Sequence, residues 1–273
     1  MKNKSKRYSL IFIISFLLIF ILANMGKLET DHINYENWIL DWSDEFNDNK
    51  IDSTIWMVMP RRRDGGRNYI TANDSCYSVS NGYLTIRAIK NTMDRTDSAK
   101  YLTGGIQTKT KKAFPPEGLL EVKARFNGVK GKTCAIWMLP FTLENGWPND
   151  GEIDVMEHAS SIKYITQTVH TSYTKIHPNI KPTRYIKKEI NYKDFNVYGV
   201  EIEKDSLIYY VNGLKTMVYP RIDSLTSKGQ YPFYRDWYLL LSTASRGPFD
   251  SICAPLEMDI DWVRYYSHKK SNP

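Results

Sequence analysis

The clearest pattern along the chain is alternation. In Leu119–Phe126, the apolar residues Leu120, Val122, Ala124 and Phe126 take one parity, and Glu121, Lys123 and Arg125 take the other. Tyr83–Ala88 repeats it, with Leu84, Ile86 and Ala88 against Tyr83, Thr85 and Arg87. A period of two belongs to a strand that turns one face to a core. Shorter candidates are Gly104–Lys109, Cys134–Leu139, Glu152–Glu157, Tyr164–His170, Asn196–Glu203, Leu207–Val211, Trp237–Ser242 and Met258–Tyr266. Gly, Pro, Asn or Asp bound these runs, as expected between strands. Asn81-Gly82 and Asn212-Gly213 are hairpin signals. No stretch of helical period exceeds three turns. The pattern predicts an all-β sandwich of two antiparallel sheets. One composition regime predicts a single domain over 37–268, with a polar linker over 26–36 before it.

The first 25 residues read differently. Lys2, Lys4, Lys6 and Arg7 precede the apolar run Leu10–Ala23. A basic head and a short apolar stretch describe a secretory signal. Counted to Tyr8–Met25, the run also reaches the lower limit for a membrane span. The expectation is therefore an exported protein, periplasmic, cell-surface or secreted, with residues 1–25 removed or kept as a membrane tether.

Composition narrows the picture. The 273 residues are 42% apolar and 25% charged, which excludes wholesale disorder. Four of the seven net positive charges sit in the leader, and the remaining +3 with no dense basic patch argues against nucleic acid. Arg61-Arg62-Arg63 and Lys187-Lys188 read as solvated loop charge. Cys76, Cys134 and Cys253 allow at most one internal disulfide, and their spacing is no metal motif.

The densest chemistry is Gly151-Glu152-Ile153-Asp154-Val155-Met156-Glu157-His158. In a strand, Glu152 and Asp154 share a face, while Glu157 falls on the other. A β-bulge near Met156 would return it, and bulges recur beside active sites. Two carboxylates flanking one bond are what glycoside hydrolysis needs. Alone, the pattern also fits an acidic solvated strand face. Trp147, just upstream, and Trp137 shift the balance, because flat rings stack on the C–H faces of sugars.

Gly146–His158 resembles the signature of glycoside hydrolase family 16, in its laminarinase-like branch. Trp42–Phe46, Asn81–Ile86, Glu117–Arg125, Ile136–Pro140, Gln167–His170 and Ile260–Tyr266 follow the family's order. The resemblance implies a β-jelly-roll with a concave cleft and a retaining mechanism on internal β-linkages. By position, Glu152 would be the nucleophile, Glu157 the acid/base and Asp154 an electrostatic helper. His170 matches a family histidine near the acid/base, and reads equally well as a core histidine. Catalysis would require no cofactor. A structural Ca2+ is implied at Glu45, the Gly82 carbonyl and Asp261.

Two departures bear on the sugar. The stretch Leu241–Phe249 lacks the tryptophan frequent in laminarinase-like members, and Gly105 stands where the family often has arginine. The leading expectation is an endo-acting enzyme on β-1,3- or mixed β-1,3/1,4-glucan. The alternative within the family is an endo-β-galactosidase on galactan or lactosamine-type glycans. A non-catalytic glycan-binding protein on the same scaffold would be expected to lack one glutamate, and all three acids are present. A transglycosylase would use the same acids. The expected partner is a polysaccharide, bound by a monomer.

Overall fold

A computed structural model describes residues 32–61, 69–92, 95–159, 161–245 and 255–269. The expected signal or tether over 1–25 lies outside the described residues. The strands are β1 (Trp38–Asp44), β2 (Met57–Val58), β3 (Tyr77–Ser80), β4 (Tyr83–Lys90), β5 (Tyr101–Thr103), β6 (Gly105–Gln107), β7 (Gly118–Phe126) and β8 (Lys132–Pro140). They continue with β9 (Glu152–Ala159), β10 (Tyr164–His170), β11 (Tyr185–Glu189), β12 (Asn196–Ile202), β13 (Ser206–Val211), β14 (Leu214–Pro220), β15 (Trp237–Ser245) and β16 (Leu256–His268). One sheet runs β14-β13-β12-β7-β16-β4-β3, with β1 on β16 and β5 on β4; the other runs β11-β10-β9-β8-β15-β6-β2. This is the all-β jelly roll of two antiparallel sheets.

The alternating residues build the core between the sheets. Leu120, Val122 and Ala124 of β7 meet Ile136 and Met138 of β8, Ile153 and Val155 of β9, and Leu239 and Leu241 of β15 in one buried cluster. Each such side chain contributes about 1.5–3 kcal/mol when fully buried. Asn81-Gly82 joins β3 to β4, and Asn212-Gly213 joins β13 to β14. Both residues of each pair have positive φ, at 55° and 76°, then 53° and 74°, as a type I′ turn demands.

Two features depart from the sequence reading. The linker expected over 26–36 ends sooner. Ile33 is buried with Trp38, Leu119 and Tyr210, and its N–H donates to the Gly213 carbonyl at 3.0 Å. A lone isoleucine in a polar run carries no periodic signal, so only its tertiary neighbours reveal it. The same segment covers Glu121, which is 1% exposed and accepts from the Tyr35 hydroxyl at 2.8 Å. Lys187 and Lys188 belong to edge strand β11 rather than a loop. That strand was unreadable because its run, Tyr-Ile-Lys-Lys-Glu, is almost wholly exposed. Cys76 and Cys134 are free and buried.

Candidate active site

The three acids lie on β9, in the middle of the seven-stranded sheet. Pairing with β8 runs Ile136 to Met156, then Trp137 to Asp154, so β9 carries an extra residue at Val155. The other side agrees: Thr166 faces Glu157 and Thr168 faces Asp154. The irregularity buries Val155 and Met156 together and returns Glu157 to the face of Glu152 and Asp154. Ile153, Val155 and Met156 anchor the inner side at 0% exposure.

Such a bulge disturbs the ladder, and Gln167 answers it. This buried residue of β10 donates its amide to the Val155 carbonyl at 3.0 Å and the Tyr210 carbonyl at 3.2 Å, and accepts from the Thr216 hydroxyl at 2.5 Å. A buried carbonyl left without a donor would cost about 1–3 kcal/mol. Sequence reasoning gave Gln167 no role. Its signal was an amide at an apolar-parity position of Tyr164–His170.

The loop before β9 is held by Asp150, which is fully buried. Its carboxylate accepts the backbone N–H groups of Glu144, Asn145 and Gly146 at 2.9, 2.8 and 2.7 Å, and pairs with Arg235 at 3.1 Å. Burial pushes the Asp150 carboxyl up, but the donors of Asn145, Glu144 and Gly146 outweigh it and hold its pKa below the usual value. The loop so fixed presents Trp147, half exposed at 52%. Its indole N–H donates to Glu152 Oε2 at 2.5 Å. One ring contact is the Lys175 ammonium, 4.5 Å from the ring centre. Lys175 lies on a one-turn helix, Ser172–Ile176, started by a Thr171 capping box.

His170, paired with Glu152 across the strands, places Nε2 3.0 Å from Asp154 Oδ2. Burial lowers the His170 pKa, against the pull of Glu152 and Glu157. A neutral imidazole facing an ionised carboxylate must carry its proton on Nε2, since the carboxylate only accepts. His170 thus stands beside Asp154 on the acids' strand face. Burial, then the charge of Asp154, pushes the Glu152 carboxyl up to about 8, although His170 and the Trp147 N–H favour its ionised form. Burial beside a second carboxylate thus favours the protonated form of Glu152.

Trp137 of β8 is opposite Asp154 and donates its indole N–H to Ser242 Oγ at 3.1 Å. It packs against a satellite cluster of Met59, Ile70, Tyr238 and Leu240. It therefore sits beside the acids but is partly committed to packing, whereas Trp147 stands clear. A cavity of about 830 Å³ lies behind the Trp147 loop, between Asn145, Asn149, Ser172 and Tyr231. None of the three acids lines it.

The residues expected to hold calcium are already occupied by side-chain cations. Both Glu45 oxygens accept from Arg264 at 2.9 Å, which holds the Glu45 carboxyl below its usual pKa. Asp261 pairs with Lys123 at 2.7 Å. No group of three or more His, Cys, Asp or Glu among the described residues is arranged to hold a metal. Glu45, Gly82 and Asp261 as arranged do not fit a divalent ion, because it would have to displace two cations.

Strand order, the carboxylate face and the bulge coincide with a match to the family model for glycosyl hydrolases family 16 over residues 64–264. The chain belongs to this family. Family 16 relatives show what the fold carries elsewhere. A keratan-sulfate endo-1,4-beta-galactosidase of Sphingobacterium multivorum is 31% identical over 89% of this chain, and the chain spans 58% of that relative's length. The catalytic domain of an endo-1,3-beta-glucanase (laminarinase) from Thermotoga petrophila RKU-1 superposes with a TM-score of 0.73 at 27% identity, covering 85% of this chain and 99% of that one. A structure from work on endo-acting O-glycanases of the human gut microbiota, which initiate mucin breakdown, has a TM-score of 0.70 at 30% identity, covering 83% and 98%. The chain is a family 16 endo-acting glycoside hydrolase.

Proposed function

We propose that the protein is a retaining endo-β-galactosidase that cleaves internal linkages of galactose-containing glycans of the keratan or mucin type. The observation that carries the chemistry is the register shift at Val155, which lines up Glu152, Asp154 and Glu157 on one face. Glu152 attacks the anomeric carbon as the glycosidic C–O bond breaks, and Glu157 gives its proton to the leaving oxygen. A water then loses a proton to Glu157 and attacks the same carbon, releasing Glu152. Attack needs Glu152 ionised and a proton on the acid that faces the leaving oxygen. Asp154, fixed by His170, keeps negative charge beside the developing oxocarbenium ion.

The galactosidase reading is favoured by two relatives, 31% and 30% identical, named for keratan sulfate and mucin breakdown. A second reading, a β-glucanase, draws on the close fit to the Thermotoga laminarinase domain. The protein acts outside the cytoplasm under either reading, led there by residues 1–25. The test is digestion of keratan sulfate, mucin O-glycans, laminarin and mixed-linkage glucan by purified protein, with proton NMR of the first anomer formed. Cleavage of the galactose polymers with retained configuration is expected. Cleavage of the glucans alone selects the second reading, and an inverted anomer refutes the mechanism.

A further inference from the structure

One flank of the acids is strongly cationic. Residues 172–190, the helix after β10 and edge strand β11, hold Lys175, Lys181, Arg184, Lys187 and Lys188 against one carboxylate, Glu189. Cross-strand pairing puts part of this charge on the acids' own face. Thr166 pairs with both Glu157 and Lys187, and Thr168 with both Asp154 and Tyr185. Directly paired residues share a face, so Lys187 and Tyr185 stand two strands from the acids, about 10 Å away.

Three of these cations rest on aromatic rings in place of carboxylates. Lys175 lies 4.5 Å from the Trp147 ring centre, Arg184 5.4 Å from that of Tyr185, and Lys187 4.9 Å from that of Tyr164. None has an acidic partner within ion-pair distance among the described residues. By contrast, Arg87, Arg125, Arg221, Arg235 and Arg264 each hold a carboxylate, although Lys109 and Lys112 also lie over rings, those of Tyr238 and Trp42. Arg184 Nε is buried with no hydrogen-bond partner, and the Arg184 charge reaches His170. Such cations are positioned by the rings and keep their donors for an incoming group. Tyr185 is 42% exposed and offers a flat surface beside them.

We propose that Lys175, Arg184 and Lys187, with Tyr164, Tyr185 and Trp147, form a subsite for a sugar bearing an oxyanion, either a sulfate ester or a carboxylate. The subsite sits on the β10–β11 side of the scissile bond. It rests on the glycosidase reading only for the chain's approach to the acids. Two or three exposed charge contacts are worth about tenfold in affinity, and this preference should fade in 1 M salt.

The test is affinity electrophoresis of the full-length protein through gels holding keratan sulfate or its chemically desulfated form. Parallel gels hold mucin glycopeptides before and after sialidase treatment. The variants are Lys175→Glu/Lys187→Glu, Arg184→Gln, and a control of equal charge change far from the site in sequence, Lys50→Glu/Lys130→Glu, each checked by its melting curve. Retardation of the wild type by an anionic polymer about tenfold beyond its neutral twin is expected. Lys175→Glu/Lys187→Glu and Arg184→Gln should lose most of that preference, and the control should keep it. Which polymer pair shows the effect separates sulfate from carboxylate. Equal retardation by charged and neutral polymers, or an equal loss in the control, overturns the subsite. Binding with this signature but cleavage of no galactose polymer would sustain the subsite and refute the galactosidase reading instead.

Discussion

Replacing Trp147 by Phe removes the indole N–H donor and leaves a smaller flat ring, which tests the N–H while keeping part of the stacking surface. That N–H donates to Glu152 Oε2 and favours its ionised form. A hydrogen bond to a charged group is worth about 1.5–3 kcal/mol. Trp147 is 52% exposed, so the lower end applies, and 1.36 kcal/mol corresponds to one pKa unit. Loss of a donor to the charged form raises the Glu152 pKa. Activity that needs Glu152 ionised climbs as pH rises through that pKa. In Trp147→Phe the acid limb of kcat/KM should therefore move up by about one pH unit, with little loss on the alkaline plateau. Trp147→Ala should add a loss on the order of fivefold from stacking. Because the ring is half exposed, neither variant should melt more than about 3 °C below the wild type, far less than the roughly 3–5 kcal/mol of a core tryptophan. The assay is a pH series of kcat/KM on a soluble substrate beside differential scanning calorimetry. An acid limb that stays in place or moves down would refute the link from Trp147 to Glu152. A melting loss of 10 °C or more would show that the ring is packing.

Further outcomes follow from the same site. Folding raises the Glu152 pKa to about 8 from an ordinary 4.5, so the native state loses stability as pH rises across that interval. Glu152→Gln should therefore melt higher than the wild type above pH 8, with the gap closing below pH 4.5; a constant gap would contradict the burial of this charge. Asp150→Ala should destabilise by about 1–3 kcal/mol, because it leaves three backbone N–H donors without their acceptor and Arg235 with Glu144 as its one carboxylate among the described residues. Urea titration checks this, and a loss below 1 kcal/mol would mean the loop has other support. Gln167→Leu should cost about 1–3 kcal/mol by leaving the Val155 carbonyl bare, and should lower kcat by disturbing Glu157; unchanged kcat would detach the bulge from catalysis. Calcium or EDTA should leave the melting temperature unchanged within about 1 °C, since Arg264 and Lys123 occupy Glu45 and Asp261; a rise of several degrees with calcium would show that the ion displaces them.

Alternation in β4 and β7 was legible because one face of each strand meets a core and the other does not, and a period of two records that directly. The hairpins at Asn81-Gly82 and Asn212-Gly213 were legible because few residues accept positive φ in succession. The acids and the bulge between them were legible because Ile153 and Val155 read as core, and strict alternation leaves Glu157 on the wrong face unless a bulge near Met156 brings it round. Other features lie between segments far apart in the chain, and no local pattern encodes them. Gln167 reads as an ordinary strand residue until the bulge supplies a carbonyl to satisfy. Glu121 alternates as a solvent residue until Tyr35 covers it. Glu45 and Asp261 look like free oxygen ligands until Arg264 and Lys123 meet them across the sheet. Lys187 reads as solvated loop charge until pairing sets strand β11 beside the acids. Burial and charge pairing are properties of the assembled sheets, so tertiary structure alone decides which polar groups find partners and which stay available for a ligand.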